Sequence, residues 1–86
     1  MHTRINVFCS APTRYSLVEI LEEKGFTCTG KSITDSYIHI NSDFYSYHSF
    51  REVRGLKFVH FDKKHLDALR LVPKEAVNEF IVEVAR

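Results

Sequence analysis

Hydrophobic and polar positions switch between two periods along this chain. Ile5, Val7 and Cys9 alternate with Asn6 and Phe8, the period of a strand with two distinct faces. Pro12 ends that strand and suits the first turn of a helix. Leu17, Val18, Ile20 and Leu21 then follow at helical spacing, and Gly25 supplies the stop. Ser10 or Thr13 can cap this helix, and Ser16-Leu17-Val18-Glu19 also fits a capping box. Phe26 to Thr29 is β-prone, and Gly30 to Ser36 reads as a turn. Tyr37 to Ile40 alternates again, with Ile38 and Ile40 on one face and Tyr37 and His39 on the other.

After the turn residues Asn41-Ser42-Asp43, aromatic residues dominate Phe44 to Phe50. Leu56 to Phe61 is the clearest late strand. Asp62 caps a short helix carrying Leu66 and Leu69, and Pro73 begins a last helix with Ala76, Val77, Phe80, Ile81 and Val84 on one side. The β-branched run Phe80 to Val84 also suits a strand, which would give the order β-α-β-β-α-β of a ferredoxin-like fold. The helical spacing and the proline start favour the helix. The pattern predicts an α+β class: one domain over 1–86, with about four strands in an antiparallel or mixed sheet. Two to three helices pack on one face, in the order β-α-β-β-β-α-α.

Composition narrows this picture. The chain has 86 residues, enough for one domain with a modest core. Its apolar fraction of 44% argues against disorder, and a net charge of +1 is too small for a dedicated polyanion binder. Two cysteines, Cys9 and Cys28, do not make a disulfide scaffold, so reduced thiols are expected. Neither a membrane span nor a signal peptide is legible, so the expected compartment is the cytoplasm.

Candidate chemistry is sparse. Cys9 and Arg14 are separated by four residues with no glycine between them, whereas a protein tyrosine phosphatase loop has five and needs glycine to turn its N–H groups inward. The weaker expectation is an anion site at the helix start, built from Ser10, Thr13 and Arg14. Histidines 39, 48, 60 and 65 lack the paired spacing of a zinc site, and no nucleophile elbow is present. No metal or other cofactor and no catalytic residue is expected.

The strongest candidate is the aromatic segment and the basic residues that follow it. From Arg51 through Lys74, seven Lys and Arg stand against three acids, leaving +4. Alternation puts one row of Phe44 to Phe50 on a surface. Tyr45 and Tyr47, with His48, Arg51, Arg54 and Lys57, are the expected partner-binding residues. Glu75, Glu79 and Glu83 add an acidic stripe that suits a basic partner, a second copy of the chain included. The expected function is a small non-catalytic regulator or inhibitor working through protein contact. Phage-encoded chains that act on a host protein are of this size. The alternative is a small RNA or single-stranded DNA binder using Tyr45 to Arg54, with weak, salt-sensitive affinity.

Overall fold

Pro12 and Gly25 bracket the first helix as their chemistry dictates. In this computed structural model, which describes residues 6–8, 10–30, 35–49, 51 and 58–86, helix α1 spans Ala11–Glu23 with Ser10 at its N-cap. The Ser10 hydroxyl donates to Thr13 Oγ1 (3.2 Å) and accepts no capping bond from a backbone N–H. The Ser16–Glu19 capping box lies inside the helix and caps nothing, because α1 starts five residues earlier. At the other end Gly25 adopts φ +94°, Phe26 N–H donates to Leu21 O (2.9 Å) and Gly25 N–H donates to Glu22 O (3.0 Å). This pair of bonds is a Schellman closure, and Phe26 and Leu21 supply its buried apolar contact. A Cβ on Gly25 would meet only the Lys74 side chain, at 3.5 Å, an ordinary contact. Gly25→Ala is therefore expected to cost about 1–2 kcal/mol from backbone strain alone, read as a shifted urea midpoint with unchanged slope.

Five strands form one mixed sheet in the order β2-β4-β3-β1-β5. They are β1 (Asn6–Phe8), β2 (Thr27–Cys28), β3 (Asp35–Asn41), β4 (Phe44–Ser49) and β5 (Phe58–His60). β1 runs antiparallel to β3 and parallel to β5, while β4 runs antiparallel to β3 and parallel to β2. Helices α2 (Lys63–Leu69) and α3 (Val77–Ala85) follow, with a 3₁₀ turn at Lys74–Ala76 between them. The α+β class is as predicted, with one strand more than the expected four. Ser42 takes φ +56° in the two-residue turn that joins β3 to β4. The segment from Phe80 to Val84 is helical.

The register fixes both faces. Val7 lies opposite Ile38 and Val59, Ile38 opposite Tyr47, and Ile40 opposite Tyr45. These residues join Leu17, Ile20 and Leu21 of α1, Leu66 and Leu69 of α2, and Val77 and Ile81 of α3 in one core cluster. α1, α2 and α3 therefore cover the same face of the sheet. Each fully buried Leu or Ile contributes about 1.5–3 kcal/mol relative to exposure. Lys24 ties the layers together: its ammonium donates to the main-chain oxygens of Val72 and Arg70 in the connection between α2 and α3.

Candidate functional site

The strand pleat divides the predicted binding row. Tyr45 is 2% exposed and Tyr47 is packed against the core, so neither forms the open surface expected of them. The reason is register. Ile38 and Ile40 face the helices, and residues directly opposite on an antiparallel pair share a face. The Tyr45 hydroxyl donates to Glu22 Oε2 on α1 (2.7 Å), and the two tyrosine rings meet edge-on at 6.1 Å. Burial first, then the bond to the Glu22 carboxylate and its charge, push the Tyr45 phenol well above its usual range.

The opposite row, Phe44, Ser46 and His48, lies on the far face with His39 and Asn41. His48 is half-buried, with Nε2 2.8 Å from Ser46 Oγ and its ring 5.6 Å from that of His39, nearly perpendicular. His39 Nδ1 lies 3.1 Å from Oδ1 of the buried Asn6, its partner in the register. Arg51 is exposed, and Arg54 and Lys57 lie outside the described residues.

Beside the β3–β4 turn, this far face holds a depression of about 210 Å³, lined by Thr29, His39, Asn41, Phe44, Tyr45 and Ser46. Phe44 is 48% exposed at this site. Asn41 Oδ1 is buried and has no hydrogen-bond partner among the described residues. Among the described residues, no Lys, Arg, Asp or Glu lines the depression. Asn41 and Phe44 form one rung of the ladder and His39 and Ser46 the next but one, so the site is a product of the hairpin register. Reading for charge and aromatic density missed it. Counting rungs back from the Asn41-Ser42-Asp43 turn is the signal that finds it.

A second concavity, of about 230 Å³, lies between α1 and α2, where Thr13 and Ser16 face Lys63, Leu66, Asp67 and Arg70. It takes up Thr13 of the predicted anion set. Ser10 is reached only through its bond to Thr13, and Arg14 is not among the residues that line it. Lys63 and Arg70 bring positive charge, and Asp67 between them opposes it. Cys28 is a free, exposed thiol, and Cys9 lies outside the described residues. Among the described residues no three His, Cys, Asp or Glu side chains gather as a metal site would require, and no helix is long and apolar enough to cross a membrane. Compared with protein-family models, with curated proteins and with solved structures, the chain matches none.

Proposed function

We propose that this chain is a small, non-catalytic binding protein that regulates or inhibits a protein partner by direct contact in the cytoplasm. The observation that supports this reading is the make-up of the depression beside the β3–β4 turn. It pairs an exposed aromatic ring, Phe44, with the polar side chains of Thr29, His39, Asn41 and Ser46, and among the described residues no Lys, Arg, Asp or Glu lines it. Protein interfaces have this character: aromatic anchors are enriched at their centres and charged groups are depleted. With Tyr45 and Tyr47 turned inward, both readings lose the exposed tyrosine row, and Phe44 is the aromatic ring left for a partner at this depression.

The second reading, a single-stranded RNA or DNA binder, is favoured by one feature, the Lys63 and Arg70 side chains facing Thr13 and Ser16 across the α1–α2 groove. Capture experiments with the tagged chain, with and without nuclease, separate the two. A protein recovered equally in both arms and cross-linked through the Phe44 face supports the first reading. Recovery that vanishes with nuclease and falls steeply with salt supports the second.

A further inference from the structure

We infer that the depression beside the β3–β4 turn receives an arginine side chain presented by the partner protein; this rests on the protein-contact reading and names its chemistry. Phe44 offers an exposed aromatic surface, and a planar guanidinium stacks flat on such a ring, whereas a compact, strongly hydrated ammonium makes only a point contact with its face. Asn41 contributes a buried carbonyl oxygen without a partner among the described residues, and a buried acceptor calls for a donor. A guanidinium carries five N–H donors and no acceptor, so one N–H can meet that oxygen while those not held by the site stay in solvent at the open mouth. Ser46 Oγ, when it donates to His48 Nε2, keeps lone pairs to accept a second N–H.

Charge points the same way. Among the described residues the lining holds no Lys or Arg to repel a cation or to hold a phosphate. Asp43, in the turn between Asn41 and Phe44, carries a largely exposed carboxylate with only a loose contact to Lys74, at 3.7 Å. A nucleotide arriving base-first would stack on Phe44 equally well, but its phosphate would meet the Asp43 carboxylate, with the Lys74 ammonium 3.7 Å beyond it. The α1–α2 groove is the poorer arginine site, because Lys63 and Arg70 line it.

The test is a titration of the ¹⁵N-labelled chain with acetyl-Gly-Arg-Gly-amide, followed by amide chemical shifts. The same peptide with lysine, and cytidine, serve as comparisons. Saturable shifts centred on Asn41, Phe44 and Ser46 are expected, with the arginine peptide binding about tenfold more tightly than the lysine peptide. Phe44→Ala should abolish saturation, and Asn41→Ala should weaken binding by about three- to tenfold. Phe44 is half exposed, so its variant should melt close to the parent, and a shared melting temperature certifies the comparison. Equal shifts with lysine and arginine, saturation by cytidine instead, or shifts elsewhere on the chain would overturn the inference. A nuclease-resistant protein partner together with no arginine response sinks this site alone; the absence of any protein partner sinks the broader reading.

Discussion

Tyr45→Ala is expected to be among the most damaging single substitutions in the chain, costing about 3–5 kcal/mol. The ring is 2% exposed, sits opposite Ile40 in the ladder and belongs to the core cluster. A domain of this size has roughly 4–13 kcal/mol of stability in total, so a large share would go. Tyr45→Phe keeps the ring and loses only the bond to Glu22, an exposed residue, so about 1 kcal/mol is expected. The two variants also separate packing from ionisation. Because the folded state holds the Tyr45 proton more tightly than the unfolded chain does, its contribution is complete below the ordinary tyrosine range near 10. It is lost as pH rises above that value. Urea unfolding at pH 7 and at about pH 11 should show the parent losing more stability with alkali than Tyr45→Phe. Equal losses would mean that the phenol is not held protonated by the fold.

Phe61→Ala should be comparable, at about 3–5 kcal/mol. Phe61 is 1% exposed where the chain leaves β5 for α2, and its N–H donates to Phe8 O (2.9 Å). Its ring stacks on His65 of α2 (5.2 Å, 28°) and meets Phe80 of α3 edge-on (6.2 Å, 90°). One side chain thus joins the sheet to two helices. Phe61→Leu, which keeps most of the volume, should cost less than half as much. Urea midpoints measure both, and a small loss for the alanine variant would show that α2 and α3 dock without this ring.

These two aromatics also show how far the sequence alone reaches. For β3 it reaches the answer, since Ile38 and Ile40 are apolar, their neighbours Tyr37 and His39 are amphipathic, and the pleat follows. For β4 it stops short, because both rows are aromatic and alternation alone cannot say which faces inward. That choice is made by the partner strand through the two-residue turn. The Tyr45 hydroxyl, a reason to expect exposure, is met by Glu22 from a helix twenty-three residues earlier. No local pattern announces such a bond. Helix α1 was legible because proline, glycine and the apolar stripe all agree. The α1–α2 groove was not, because helix-to-helix docking leaves no period in either segment. The direction of β1 beside β5 was likewise hidden, and with it the mixed character of the sheet.

That parallel seam sets the order in which the molecule can assemble. The β3–β4 hairpin closes through two residues and can form on the microsecond scale. β1 lies inside the sheet, yet its partner β5 arrives more than fifty residues later, with Asn6 opposite Phe58. Closing a loop of that length carries an entropic cost of roughly 3.5 kcal/mol before a single ladder bond forms. During synthesis the first strand must therefore wait, half-paired at best, until more than two thirds of the chain has emerged. The rate-limiting barrier belongs at the β1–β5 seam, and substitutions of Val7 or Val59 should slow folding more than substitutions in the hairpin.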